Sequence, residues 1–263
     1  MTAIPPELDD HLRRSADRLG LFAHHVEWHE SVGSTNDLAA RRAERGAPEG
    51  LVVTANAQES GRGRFGRSWA SPPGAGIYTS VVLRPSVAAA SLLTITAGVA
   101  LTDGVRAATG FEPALKWPND LVMDGRKLAG ILAEGRLSES GEGFVILGFG
   151  INVSPAAYPP DVAARATSIE TELGRPADRN LLLVECLAAL ASRYAELRGG
   201  RGAAIVDAWR ARAAVTLRRP VEWDVDATPQ RGIARDIDDT GALLVDTPGG
   251  VARIVSGEVR WLG

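Results

Sequence analysis

The chain has 263 residues, with 29 basic against 32 acidic side chains, a formal net charge of −3, and 45% hydrophobic and 23% charged residues. That is an ordinary globular mix, room for one large domain or a medium one with a small one attached, and it excludes wholesale disorder. The acidic balance argues against a general nucleic-acid coat protein, and the longest mainly apolar stretch, Ser91 to Leu101, falls short of the roughly 20 residues that span a bilayer. One cysteine, Cys186, leaves no disulfide framework.

In chain order, the charged N-terminus has no apolar export core, so a cytoplasmic protein is expected. Glu7 to Leu19 reads as an amphipathic helix stopped by Gly20. HVEWHES is strand-like, GSTNDLAARRAERG a helix capped at Ser34 or Thr35 and closed by Gly46, and residues 50–58 a strand. Residues 60–76 form a polar, glycine-rich loop too long for an ordinary turn. IYTSVVLRP is a strand and SLLTITAGVALTDGVRAATG an apolar helix buried on more than one face; LKWPND, KLAGILAEG and FVILGFGINV give three more strands. Arg179 to Arg198 and Ala203 to Val215 are helical. After Arg219-Pro220 come five short alternating runs, VEWDV, RGIARDID, GALLVDT, VARIVS and EVRWL, a small β-barrel or hairpin stack that must dock on the rest. Two domains are expected, residues 1–216 and 217–263. Helices alternating with hairpins rather than regular βαβ units place the fold in the α+β class.

The chemistry concentrates in a few segments. Of the 29 basic residues 27 are arginines, and the only lysines, Lys116 and Lys127, fall in one 12-residue window. GRGRFGR, Gly61 to Arg67, combines three glycines with three arginines, and no acid lies between Ser60 and Gly76. Such a loop suits anionic oxygens, or is a solvated surface loop with a chance arginine cluster; it is neither a Walker A nor a Rossmann motif. Ser34, Thr35 and Asn36 are explained by helix capping when taken alone. Trp117-Pro118 interrupts a strand, and Asp120 just after it either caps a turn or meets a hydrated Mg²⁺, which takes one or two carboxylates plus phosphate oxygens. Gly148 and Gly150 inside a strand imply a bulge or the close approach of a flat ligand. His24, His25 and His29 lack a zinc pattern, and Cys186 reads as core.

Together and in this order, STND, Gln58, GRGRFGR followed by Trp69, KWPND, KLAGIL and GFGIN resemble the biotin protein ligase family over Ser31 to Val153. The β tail is similar to that family's SH3-like C-terminal domain. The resemblance implies a class II synthetase-like α+β fold, with a mixed, mainly antiparallel sheet. It implies ATP-dependent activation of biotin to biotinyl-5′-AMP, Mg²⁺ as activator, and transfer to a lysine of a biotin carboxyl carrier domain. Carried over residue by residue, it implies biotin binding by Ser34, Thr35, Asn36, Gln58, Gly61, Arg62, Gly63, Arg64, Lys127 and Gly130. It implies ATP binding by Arg64, Arg67, Trp69, Asn119, Lys127 and Asn152, with Trp69 covering the adenine. Arg64, Lys127 and Asp120 are the expected catalytic residues, and Asp120 is the candidate either for the metal or for taking the acceptor lysine's proton. Only some 25 residues precede the first matching strand, so the expectation is the monofunctional type, without a DNA-binding domain or nucleic-acid partner, acting as a monomer or weak homodimer. The alternatives are a lipoate or octanoate ligase or transferase of the related fold, and a noncatalytic regulator that binds a small ligand.

Overall fold

The computed structural model describes residues 3–137, 143–225 and 228–262. Its helices are α1 (Pro6–Arg14), α2 (Ala16–Leu19), α3 (Thr35–Glu44), α4 (Val87–Ser91), α5 (Leu93–Thr109), α6 (Ile169–Leu173), α7 (Arg179–Arg198) and α8 (Gly202–Arg210). Seven strands, β1 (Val26–Val32), β2 (Val52–Gln58), β3 (Gly76–Leu83), β4 (Ala114–Lys116), β5 (Asp120–Met123), β6 (Arg126–Leu137) and β7 (Gly143–Asn152), make the larger sheet, in the order β1-β2-β3-β7-β6-β5-β4. A second sheet holds β8 (Pro220–Val225), β9 (Thr228–Ile237), β10 (Leu243–Thr247), β11 (Gly250–Ile254) and β12 (Val259–Trp261), in the order β11-β10-β9-β8-β12. Among the described residues no helix is long and apolar enough to cross a membrane.

The α+β class holds, with one local exception. β1 and β2 are parallel, and parallel neighbours need a crossover, which α3 supplies as a single βαβ unit; every other pair in the larger sheet is antiparallel. The apolar helix over residues 93–109 is buried on most sides, because it is sandwiched between the sheet and α7; Val99, Ala100, Leu101 and Val105 are fully inaccessible, as is Cys186 on α7. Three boundaries differ from the periodicity reading. The first helix breaks at Ser15 into α1 and α2, α8 stops at Arg210 rather than continuing to Val215, and LKWPND divides into β4 and β5 around the cis Trp117-Pro118 bond.

The two sheets meet at Trp117, which is 2% exposed. Its backbone N–H donates to Thr216 Oγ1 at 2.9 Å, and its indole Nε1–H donates to the Gly241 carbonyl, in the turn before β10, at 2.9 Å. Thr216 Oγ1 in turn donates to the Leu115 carbonyl at 3.0 Å, so the connection into β8 is bonded to the hairpin that precedes Asp120. This seam places β12 beside the open face of the larger sheet.

Candidate active site

A cleft of about 760 Å³ lies over one face of the larger sheet, between the 60–76 loop, the 155–166 segment and β12. Its floor follows from pairing register. Tyr78, Gly150, Gly130, Asp120 and Lys116 are directly opposite one another across β3, β7, β6, β5 and β4, so they share one face. In a regular strand Lys127 would point away from Gly130, three positions on. The β5–β6 register, however, shifts between Leu121 and Val122, leaving Leu128 as an extra residue on β6. That bulge reverses the alternation and returns Lys127 to the face of Asp120 and Gly130. Lys127 Nζ then sits 2.6 Å from Asp120 Oδ1.

The two strand glycines are open because the chain's own side chains lie on them. A Cβ on Gly148 would fall 1.9 Å from Asn36 Oδ1, and one on Gly150 would fall 2.5 Å from Trp69 Nε1. The flat group over β7 is thus the indole of Trp69, which also overlies Gly130 and has Lys127 Nζ 5.4 Å from its ring centroid. At Gly148 and Gly150 the pairing of β7 with both neighbours is regular, so no bulge is needed there.

At the β2–β3 end, the start of α3 is tied into a polar cluster. Ser34 does cap the helix, accepting from Asp37 N at 3.4 Å, but Thr35 and Asn36 do more. Thr35 donates through its backbone N–H and its hydroxyl to Gln58 Oε1, at 2.8 and 3.0 Å, and Gln58 Nε2 donates to Ser71 Oγ at 2.8 Å. Ser80 Oγ lies 2.8 Å from Thr35 Oγ1 and 2.6 Å from Asn36 Oδ1, while Asn36 Nδ2 donates to Glu134 at 3.0 Å. Hydroxyls and amides are held here at fixed positions with the apolar sheet beneath them, an arrangement suited to a neutral ring that both donates and accepts.

The three arginines of the loop part company. Arg62 binds acids from elsewhere in the chain, Asp37 at 3.0 Å and Glu134 by a short contact. Arg67 reaches Glu258 at the edge of the second sheet. Arg64 lies over the exposed Phe65 ring, 4.8 Å from its centroid, and its Nη1 approaches Asn119 Oδ1 at 3.4 Å. Burial lowers the Arg64 guanidinium below its ordinary pKa, with Asp120 opposing the shift and Arg67 adding to it; arginine keeps its charge in such settings. The uncompensated positive cluster suggested by local sequence is therefore one guanidinium facing Asn119 and Asp120. Asn119 is itself fixed to β6, donating Nδ2 to the Ile131 carbonyl at 2.7 Å and accepting from Ile131 N at 2.9 Å.

Of the sequence-derived site residues, all but Gly61 line this cleft. Gly61 packs behind it, where a Cβ would meet the Trp69 carbonyl at 2.3 Å. Asn152 is buried and donates its amide to the Thr167 carbonyl at 3.0 Å and the Lys127 carbonyl at 3.4 Å, tying the end of β7 to the start of β6 and to the chain just before α6. Ser71, Ser80, Glu134, Tyr158 and Trp261 were missed. Ser80 had a signal, a small polar residue inside the apolar run IYTSVVL; Glu134 and Trp261 arrive through strand pairing and domain docking, which no local pattern encodes. Among the described residues no group of three or more His, Cys, Asp or Glu side chains is disposed to hold a metal.

Comparison with known proteins decides the family. Residues 28–152 match the Biotin/lipoate A/B protein ligase family, and residues 227–260 match the Biotin protein ligase C terminal domain. The chain is 40% identical to the biotin–[acetyl-CoA-carboxylase] ligase of Mycobacterium tuberculosis, over 87% of this chain and 85% of that protein. It is 33% identical to a bifunctional ligase/repressor of Bacillus subtilis, over 95% of this chain and 79% of that one. The chain belongs to the biotin protein ligase family. The structure of the Aquifex aeolicus biotin protein ligase in complex with biotin and ATP superposes with a TM-score of 0.77 at 26% identity, covering 91% of this chain and 99% of that one. In this ligase, then, the six ordered motifs gather on one sheet face, and the β tail is the family's C-terminal domain.

Proposed function

We propose that the cleft joins the carboxylate of biotin to the α-phosphate of ATP and then hands the biotinyl group to a lysine of a biotin carboxyl carrier domain. The observation that carries this reading is the single sheet face on which the Ser34–Thr35–Asn36–Gln58 cluster, the Trp69 indole and the Arg64–Asp120–Lys127 group lie side by side. The cluster at the α3 N-terminus binds the ureido ring, with Ser34, Thr35, Asn36 and Gln58 exchanging their mutual hydrogen bonds for ones to its N–H and C=O groups. Gly61 and Gly63 let the loop bend over the ligand, with Arg62 held in place by Asp37 and Glu134. Trp69, with Asn152 and Asn119 at its margins, takes the nucleoside, and Gly130 leaves room beneath it. Arg64 and Lys127 face the α-phosphate, where negative charge gathers as the carboxylate attacks; preorganised cations at that point lower the barrier most. Arg67, bonded to Glu258, ties the loop to β12 and approaches the triphosphate from that side.

Asp120 fits a Mg²⁺ brought in on the triphosphate. Its Oδ1 is buried and accepts no hydrogen bond beyond its ion contact with Lys127, and a lone carboxylate suffices when phosphate oxygens complete the shell. The ion would supply charge neutralisation to the phosphates. In the second step Asp120 accepts the proton that the carrier lysine must lose before it attacks the mixed anhydride. Closure of the 60–76 loop keeps water from the anhydride meanwhile. The domain boundary belongs to the same proposal, with residues 1–216 carrying the chemistry and residues 217–263 closing one wall. The acidic balance supports a protein without a nucleic-acid partner, and the same proposal has it acting in the cytoplasm as a monomer or weak homodimer.

Isothermal titration with biotin and with lipoate, beside an assay of pyrophosphate release, tests the proposal. Biotin binding without lipoate binding, and release that needs both biotin and Mg-ATP, are the expected outcomes. Lipoate binding alone would make this the related lipoyl enzyme, and ligand binding without release would make it a regulator.

A further inference from the structure

The sheet face continues past Asp120 to a residue with no part in the reaction as described so far. Lys116 stands directly opposite Asp120 on the edge strand β4, so its side chain rises from the same face and lines the same cleft. Its ammonium lies 5.9 Å from the centroid of the Trp261 ring on β12. Among the described residues it has no carboxylate within ion-pair distance, whereas Lys127 is engaged at 2.6 Å with Asp120. A half-buried cation with no carboxylate in ion-pair contact, only the longer-range charge of Asp120 opposite it, and backed by an aromatic face, can meet a ligand anion.

The direction of the reaction says which anion. In the adenylation step a biotin carboxylate oxygen forms a bond to the α-phosphorus. The bond from that phosphorus to the oxygen bridging to the β-phosphate breaks, and its electron pair leaves with pyrophosphate. Attack and departure are in line, so the leaving group emerges opposite the carboxylate. On the proposed reading biotin enters from the Ser80–Gly148 side of the sheet and the α-phosphate lies at Arg64 and Lys127. Departure therefore runs along the row from Gly130 through Asp120 toward β4.

We propose that Lys116, backed by Trp261, receives the departing pyrophosphate in the adenylation step and plays no part in transfer to the carrier. The inference rests on the ligase reading and refines it. Its consequence is that the two half-reactions depend on different lysines: Lys127 borders the bond being made, and Lys116 meets only the fragment that leaves.

The test measures the half-reactions separately in the full chain. Lys116→Gln is expected to slow single-turnover biotinyl-5′-AMP formation by about 10- to 100-fold, on the scale of losing one transition-state donor at a partly exposed site. It should also weaken pyrophosphate in the reverse reaction from bound biotinyl-5′-AMP, while biotin affinity and transfer from supplied biotinyl-5′-AMP stay within about threefold. Lys116→Arg should recover most of the loss, because the charge is kept. Adenylation within threefold of normal in Lys116→Gln, or an equal fall in both half-reactions, overturns the proposal. Absence of biotin-dependent pyrophosphate release from the unaltered chain would instead overturn the ligase reading. Should Lys116→Gln fail to fold, the unaltered sequence still decides. With just two lysines in the chain, reductive ¹³C-methylation gives two resolvable side-chain signals, assigned by Lys116→Arg. Pyrophosphate added to the biotinyl-5′-AMP complex must shift the Lys116 signal, and an unmoved signal at saturation refutes the assignment.

Discussion

At the scale of single residues, the two β7 glycines separate the binding functions of the cleft. Gly148 gives its space to Asn36, which Ser80 and Glu134 hold, and Gly150 gives its space to the Trp69 indole. Adding one methyl group at each position should therefore displace a different guest. Gly148→Ala pushes Asn36 out of the polar cluster and is expected to weaken biotin binding by at least about tenfold, the worth of one or two buried hydrogen bonds. Gly150→Ala pushes on Trp69 and should weaken ATP binding while leaving biotin affinity nearly intact. Titration calorimetry with each ligand on each variant checks the split; equal losses of both ligands in both variants would mean that the glycines serve only sheet packing. In the sequence these two positions were visible as glycines that a strand does not need, and a bulge or the close approach of a flat ligand were the two explanations; what lies on them is Asn36 and Trp69 of the chain itself. That the flat group is a tryptophan from this same chain was beyond reach, because Trp69 comes to β7 by way of a loop whose path no periodicity describes. Similarly, the acids that hold Arg62 and Arg67 lie outside the loop, Asp37 on α3 before it and Glu134 and Glu258 72 and 191 residues beyond their arginines, so the loop looked uncompensated in its own neighbourhood.

At the scale of elements, alternation and turn residues located every strand of the second sheet to within a few positions, since short exposed strands bounded by Gly, Pro and Asp carry their limits in local chemistry. The bulge at Leu128 was not legible. It depends on how β6 registers against β5, and only that register decides that Lys127 shares a face with Asp120. Between β9 and β10, by contrast, local chemistry is almost the whole story. Asp238 Oδ1 accepts from Thr240 N at 2.9 Å, Thr240 Oγ1 at 2.7 Å and Ala242 N at 3.0 Å, while Oδ2 accepts from Arg253 at 2.5 Å. Burial alone would raise its pKa, but these donors outweigh it and hold the carboxyl down to about 2, from an ordinary 3.8. A carboxylate depressed in this way adds stability above its unfolded pKa and loses it as pH falls from near 4 through about 2. Asp238→Ala should cost about 1 kcal/mol at neutral pH, like the loss of a helix cap, and should flatten the stability profile between pH 4 and pH 2. Urea melts at pH 7, 4 and 2.5 check both. An alanine variant whose acid sensitivity matches the parent's would remove Asp238 as the cause.

At the scale of the molecule, the question is what holds the second sheet against the first, since β12 forms one wall of the cleft. Two contacts differ sharply in character. Arg67 and Glu258 are 65% and 50% exposed at their side chains, and exposed ion pairs contribute about 0–1 kcal/mol. Trp117 is buried at the seam, with its indole bonded to Gly241 and its backbone to Thr216. Replacing a buried tryptophan by alanine costs about 3–5 kcal/mol, and here it also leaves the Gly241 carbonyl without its donor. Because that turn sits beside Asp238, the seam and the β9–β10 turn should loosen together. Trp117→Ala is accordingly expected to lower the midpoint of unfolding markedly and to expose residues 217–263 to limited proteolysis before the larger sheet unfolds. Glu258→Gln should leave the midpoint almost unchanged and only free the 60–76 loop, read as faster cleavage after its arginines. Were the order reversed, with Glu258→Gln releasing the second sheet and Trp117→Ala silent, the C-terminal wall would be held by the loop's charge rather than by the seam. Arg67 would then have to leave Glu258 for a triphosphate only at the expense of the wall itself.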